Sequence, residues 1–126
     1  MKQLIFFLFF LPCLVQGQDY RFNNYNINNG LSQSNVNTII QDDNSGLWIG
    51  TQDGLNRFDG NTFEIFNPDE TKGIESPFIE VSVKTKDGKI WFGTRNGLTV
   101  FNSKTESFKT FTIDKTKIFD IQDICL

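Results

Sequence analysis

A thirteen-residue stretch occurs twice in this chain, and this repeat constrains the fold more than any other feature. Residues 47–59 read LWIGTQDGLNRFD, and residues 90–102 read IWFGTRNGLTVFN, an offset of 43 positions. An internal repeat with such a period predicts an architecture assembled from copies of one supersecondary unit. The six identities between the copies are Trp48 with Trp91, Gly50 with Gly93, Thr51 with Thr94, Gly54 with Gly97, Leu55 with Leu98, and Phe58 with Phe101.

Each copy lies within a unit of four short strand candidates that are separated by turn residues. Asp53-Gly54 and Asn96-Gly97 stand between the second and third candidates, and such pairs are strong hairpin signals. The candidates are 36–41, 47–51, 55–58 and 62–66 in the first unit, and 79–83, 90–94, 98–101 and 107–111 in the second. Four short strands repeating roughly every 40–45 residues are typical of a β-propeller blade. We therefore predict an all-β fold, a β-propeller fragment made of four-stranded antiparallel blades.

The same pattern divides the chain into segments around two full blades. Residues 20–25 share their aromatic spacing with 63–66 and 108–111, which close the two units, so we predict an outer strand there that completes the last blade of a closed ring. A β-sandwich gives no reason for a 43-residue period, and solenoid units are usually shorter or helical. The predicted segments are 1–17, a signal peptide; 18–35, an N-terminal outer strand and lead-in; 36–78, blade 1; 79–120, blade 2; and 121–126, the start of a truncated third blade.

The first seventeen residues have the layout of a secretory signal peptide. Lys2 precedes an apolar run over 4–15, and Gly17 offers a cleavage position after it. The run is well short of the roughly 20 residues that span a bilayer. Attachment of a lipid at Cys13 fits less well, because Pro12 stands where such a signal has a small residue. We therefore predict an exported, periplasmic chain with no membrane span after cleavage.

Composition excludes several classes of function. The chain has no His, which excludes His-dependent nucleophilic catalysis and His-ligated metals within it. A formal net charge of −3 and the absence of a basic run argue against binding to nucleic acid or to an anionic membrane. After cleavage only Cys125 remains, and we interpret it as a small buried apolar residue. No catalytic residue, no cofactor and no metal site is predicted.

Most of the repeated residues are interpreted as parts of the blade. The Trp of each copy could stack on a sugar ring, but its recurrence favours packing in the core. The glycine two positions later lets an adjacent blade approach closely, and the Thr after it is expected to satisfy backbone groups of the turn. Asp53-Gly54 and Asn96-Gly97 need a positive φ more than they need a ligand.

Two arginines remain as candidates for ligand contact. Arg57 and Arg95 lie in or near turns at the blade edges and could touch an acidic sugar, although an exposed Arg is also ordinary. The stretch Asp42–Gly46 has some likeness to a calcium loop. Its Gly arrives one position early and no Glu follows at the required distance, so a plain turn is favoured.

Two longer strings resemble the two-component regulator propeller repeat. They are GLSQSNVNTIIQDDNSGLWIGTQDGLNRFDG at 30–60 and DGKIWFGTRNGLTVFN at 87–102. The repeat is found in periplasmic sensor regions of hybrid histidine kinases, mainly in Bacteroidota. The resemblance implies an N-terminal fragment of a ligand-sensing propeller, with an oligosaccharide as the ligand. It also implies a full-length parent that is anchored in the inner membrane, has further blades and kinase domains, and forms a homodimer.

Three functions remain open at this point. The first is a sensor propeller that binds a ligand and biases a kinase in the full-length protein. The second is part of a secreted propeller enzyme, a lyase or hydrolase that would use paired carboxylates. No unrepeated acidic cluster supports this, so the chain itself is predicted not to be an enzyme. The third is an interaction platform without a kinase.

Overall fold

The computed structural model describes residues 19–112, 121, 123 and 124. The predicted signal peptide lies outside the described residues, as do three of the six residues of the predicted third-blade segment. Within the described part, a single turn of 3-10 helix at Ile27–Asn29 precedes eight strands. The strands are β1 (Val36–Gln41), β2 (Leu47–Thr51), β3 (Gly54–Phe58), β4 (Phe63–Phe66), β5 (Ile79–Lys84), β6 (Lys89–Thr94), β7 (Gly97–Asn102) and β8 (Ser107–Phe111).

The strands form two sheets, each a simple antiparallel meander. The first sheet has the order β1-β2-β3-β4 and the second β5-β6-β7-β8, and every neighbouring pair is antiparallel. We call these sheets the first and second blade. The prediction of an all-β fold built from four-stranded antiparallel blades is confirmed.

The turn between the second and third strand has the same construction in both blades. Gly54 has a φ of 121° and Gly97 a φ of 128°, a region that a side chain would strain. The Thr51 hydroxyl donates to the carbonyl of Gly54 at 2.9 Å and accepts from the backbone N–H of Asp53 at 3.0 Å. Thr94 makes the equivalent pair of bonds in the second blade, at 3.0 and 3.2 Å. Each Thr therefore fastens the tight turn that follows it.

The main core lies between the two blades. Trp48 is fully buried, and its ring centroid is 4.5 Å from that of Phe101 and 6.0 Å from that of Phe92, both in the second blade. Ile49, the next residue, points to the opposite face of the first blade and packs in a separate cluster. This strand thus carries large apolar residues on both faces, because both faces of the first blade are covered. The main core cluster is Trp48, Leu55, Ile79, Ile90, Phe92 and Phe101.

Close approach of the blades depends on the repeated glycine. A Cβ on Gly50 would lie only 2.6 Å from Cγ2 of Ile79, the first residue of β5. In the same way, a Cβ on Gly93 would lie 2.8 Å from the carbonyl oxygen and 2.9 Å from Cγ2 of Ile121. Ile121 therefore occupies against the second blade the place that Ile79 occupies against the first.

Hydrogen bonds join the innermost strands of the two blades, β1 and β5. The hydroxyls of Thr38 and Ser82 are 2.6 Å apart, and the Asn37 side-chain amide donates to the carbonyl of Ile79 at 2.8 Å. Polar pairing here supplements the apolar contacts farther out along the sheet.

The predicted outer strand at 20–25 is not a strand in this structure. In the described part of the chain, residues 19–26 pair with neither sheet. A strand needs a neighbouring edge to hydrogen-bond with, whereas the side chains of Tyr20 and Phe22 in this segment are largely exposed. The Tyr25 ring packs against Phe58 at 4.9 Å and Phe63 at 5.8 Å. That the segment completes a closed ring stays a prediction.

The connection between the blades, residues 67–77, is fastened to both of them. The Thr110 hydroxyl donates to the carbonyl of Gly73 at 2.7 Å, and the Gly54 N–H donates to the carbonyl of Pro77 at 2.7 Å. Ile74 is buried within this connection. The side chain of Ile74 therefore anchors the connection through apolar contacts.

Candidate functional site

The centre of the candidate site is the carboxylate of Asp42, at the turn between β1 and β2. It is buried, and its Oδ1 accepts from the backbone N–H groups of Asn44 at 2.9 Å and Gly46 at 2.8 Å. Its Oδ2 accepts from the Trp48 indole N–H at 3.1 Å and from Nη2 of Arg57 at 3.0 Å. Four protein donors therefore occupy this carboxylate, which agrees with a turn rather than a calcium loop.

Asp42 is held ionised by these contacts. Burial raises its pKa, but the hydrogen bonds from Gly46, Trp48 and Asn44 and the positive charge of Arg57 together lower the pKa below its ordinary value. Among the residues that the structure describes, no group of three or more acidic or thiol side chains is placed to hold a metal ion.

Arg57 is fixed in place from two sides. It lies on β3, in register with Trp48 on β2 and Glu64 on β4, so the three side chains project from one face of the first blade. Its guanidinium carbon lies 5.4 Å from the centre of the Trp48 ring, and its ion pair with Asp42 is 3.0 Å long. A guanidinium has five N–H donors. Within residues 19–112 only its bond to Asp42 uses one of them.

A cleft of about 500 Å³ opens beside this guanidinium. Asp59 lies in the cleft, but its carboxylate accepts from the backbone N–H groups of Thr62 and Asn61 in its own turn, and these bonds lower its pKa. Glu64 is exposed and stands opposite Arg57, yet its carboxylate makes no hydrogen bond or ion pair to any described residue. The lining residues are Asn44, Ser45, Gly46, Arg57, Asp59, Thr62 and Glu64.

The second blade has a cleft at the equivalent place with different chemistry. Its volume is about 310 Å³, and its lining residues are Lys89, Trp91, Val100, Asn102, Ser107, Lys109 and Phe111. Trp91, Val100 and Lys109 are in register across three strands, as are Trp48, Arg57 and Glu64 in the first blade. The Trp91 ring is half-buried and stacks on Phe111 at 5.8 Å. An apolar residue and a base therefore replace the arginine and the acid.

The second candidate arginine, Arg95, belongs to a different part of the molecule. It lies in the turn between β6 and β7, with its guanidinium carbon 3.4 Å from the Phe78 ring centre and its Nε 3.9 Å from Oε1 of Glu80. Arg57 is in the other blade and near the opposite end of the strands. The structure does not bring the two arginines into one site.

The repeated residues build the blades and do not line the Arg57 cleft. Sequence reasoning identified Arg57 but missed Asp42 and Glu64 as its neighbours. A signal existed: Asp42 precedes its Trp by six residues, where the second unit has Thr85. The buried repeat positions are Trp48, Gly50, Thr51, Gly54, Leu55, Phe58, Gly93, Thr94, Gly97 and Phe101, while Trp91 and Leu98 are half-buried.

Comparison with known proteins finds similar repeats. Residues 30–53 match the model of the two component regulator propeller. The chain is 40% identical over 73 residues to Histidine kinase P4 of Formosa agariphila, a match that covers 56% of this chain and 5% of that protein. No helix in the described residues has the length and apolar character to cross a membrane.

Two solved structures from B. thetaiotaomicron have the same fold. The extracellular domain of the hybrid two component system BT3049 superposes with a TM-score of 0.65 at 27% identity, over 79% of this chain and 14% of that one. The extracellular domain of the one component system BT4673 gives 0.61 at 26% identity, over 74% and 13%. The chain thus spans a small part of each relative. Repeat sequence, blade architecture and relatives therefore agree that this chain is similar to two-component regulator propellers, with residues 30–53 matching the family's own repeat.

Proposed function

We propose that this chain forms part of a ligand-sensing propeller, exported to the periplasm, that regulates a histidine kinase. Its packed pair of repeat blades carries the proposal, because blades of this kind form extracellular domains of two component systems. In this role the chain binds a ligand and transmits a conformational change to the kinase, and it catalyses no reaction itself. Ligand binding shifts the population of propeller conformations, and the kinase responds to that shift.

The immediate partner of the described blades is a further blade. In the first blade, the face with Trp48 and Phe66 is covered by Phe101 and Phe108 of the second. The equivalent face of the second blade, with Trp91 and Phe111, is partly exposed. We propose that another blade of this repeat covers it, within a full-length protein that is anchored in the inner membrane and forms a homodimer.

The proposed ligand is a carbohydrate. The cleft beside Arg57 supports this choice, since its lining residues combine hydrogen-bond donors and acceptors. No sugar-stacking role is assigned to Trp48, because it is fully buried.

The test uses the full gene product reconstituted in membrane vesicles. Oligosaccharides from a panel of polysaccharides are added, and ATP-dependent autophosphorylation is measured. We expect one oligosaccharide class to change the phosphorylation rate, with no response to peptides of similar size. A product that lacks kinase activity, or a kinase whose rate no oligosaccharide alters, would contradict the proposal.

Export is tested separately by fractionation and N-terminal sequencing of the mature chain. We expect the chain in the periplasmic or membrane fraction, beginning at Gln18. Recovery from the cytoplasm with Met1 and residues 2–17 intact would contradict the proposed signal peptide.

A further inference from the structure

We infer that the cleft between Arg57 and Glu64 is a binding subsite for an uncharged, hydroxyl-rich ligand such as a neutral sugar residue. The inference rests on the proposed function and deepens it, since it assigns a place and a charge class to the ligand. It depends on three features of the cleft: a fixed cation, a free acid beside it, and their absence from the equivalent cleft of the second blade.

The cation is preorganised. Buried Asp42 holds one edge of the Arg57 guanidinium at 3.0 Å, and the fully buried Trp48 ring lies against its face. Asp42 is itself oriented by Trp48 and by two backbone N–H groups of its turn. A ligand therefore meets donors that are already in place, which reduces the entropy lost on binding. The side chain of Arg57 is 27% exposed, so these donors remain accessible.

The free acid decides which ligand fits. Glu64 is the register partner of Arg57, at a spacing where opposite charges attract, yet no ion pair forms between them. Donors of Arg57 and acceptors of Glu64 thus face the same space. A hydroxyl group both donates and accepts, so one diol can satisfy both side chains. An anionic ligand is repelled by Glu64 and Asp59, and a cationic one by Arg57.

The blade does not require this chemistry. The second blade builds the equivalent cleft with Val100 and Lys109 in place of Arg57 and Glu64, on the same three-strand register. Requirements of the fold therefore do not account for the exposed donors of Arg57 or for the unpaired Glu64. The proposed neutral ligand differs from the acidic sugar that the sequence suggested for Arg57, and the titration below distinguishes the two.

The test is an NMR titration of the isotopically labelled full chain with glucose, galactose, mannose and cellobiose, with galacturonate and glucosamine as charged comparators. The Trp48 indole N–H reports directly on the cleft, because Asp42 links it to Arg57. We expect at least one neutral sugar to shift this resonance and to bind more tightly than either charged comparator.

Two variants and a matched control make the result specific. Arg57→Lys keeps the charge near Asp42 but loses the planar guanidinium with its several N–H donors. We therefore expect about tenfold weaker sugar binding. Glu64→Gln is expected to weaken neutral sugar binding severalfold and to raise the relative affinity for galacturonate. Glu80→Gln alters an acid that lies beside Arg95 instead, so it should leave both affinities unchanged.

The outcomes separate the subsite from the sensing function. The subsite is overturned if galacturonate binds the unmodified chain more tightly than galactose, or if Glu64→Gln does not change the selectivity. It is also overturned if sugars shift amides elsewhere but not the Trp48 indole, a result that leaves carbohydrate sensing intact. If no sugar in the panel binds the chain, the subsite is refuted. Carbohydrate sensing is then decided by the phosphorylation assay on the full gene product.

Discussion

Replacement of Gly50 by Ala is expected to destabilise the chain by forcing the two blades apart. The added Cβ would lie 2.6 Å from Cγ2 of Ile79, 2.7 Å from Cγ2 of Thr38 and 2.9 Å from Cβ of Ile79. Carbon atoms in contact are normally about 3.5–4.0 Å apart, so these neighbours must move by about 1 Å. The φ of Gly50 is outside the left-handed region, so backbone strain adds nothing. Overpacking of this kind costs about 1–3 kcal/mol.

The source of this cost can be isolated with changes at Ile79. Ile79→Leu removes the Cγ2 atom that meets the new methyl group, whereas Ile79→Val keeps it. We therefore expect Ile79→Leu to recover part of the stability lost in Gly50→Ala, and Ile79→Val to recover none. Urea unfolding followed by the fluorescence of buried Trp48 measures each variant and the coupling energy between the sites. A neutral Gly50→Ala, or equal recovery by both changes, would refute the reasoning.

Three further predictions concern burial, pH and the connection between blades. Trp48→Phe should cost about 2–4 kcal/mol in urea unfolding, since it leaves a cavity and removes a donor from buried Asp42. Trp91→Phe should cost less than half as much, because Trp91 is half-buried; equal losses would contradict the account. The lowered pKa of Asp42 means that its contribution to stability is present above its unfolded-state pKa of 3.8 and is lost as the pH falls through its folded-state pKa. Asp42→Asn should therefore be less stable at pH 7 and lose less on acidification than the unmodified chain, and parallel pH profiles would refute this. Gly73→Ala places a Cβ 2.1 Å from the Phe108 carbonyl at a φ of 93°, so it should lower Tm by several degrees, whereas an unchanged Tm would show that the connection is not fastened to β8.

Much of the fold was predictable because the signals are local and repeated. Alternating apolar residues and Asp-Gly or Asn-Gly turns define the strands, and the predicted span 47–51 coincides with β2 while 55–58 begins one residue later than β3. The 43-residue offset predicted the division of these strands into two blades, since two equal units must share one architecture.

The candidate site was only partly predictable, because its contacts join residues from different strands. The Asp42–Arg57 ion pair spans fifteen positions and has no counterpart in the second unit, so no periodic sequence pattern predicts it. Whether Glu64 pairs with Arg57 depends on side-chain geometry across the sheet. The outer strand predicted at 20–25 finds no partner edge among the described residues and stays a prediction, because strand formation depends on a partner edge that local sequence does not specify.

The central claim is that the repeated stretches build two blades whose innermost strands lie side by side. It is tested most directly by disulfide cross-linking between β1 and β5, in a background of Cys13→Ser and Cys125→Ser. Because the Thr38 and Ser82 hydroxyls are 2.6 Å apart, Thr38→Cys with Ser82→Cys should form an intramolecular disulfide under mild oxidation. Thr38→Cys with Val83→Cys is the matched control, since Val83 points to the other face of β5. The account predicts rapid cross-linking of the first pair alone. Equal rates for both pairs, or a disulfide only between molecules, would contradict the packing of these blades.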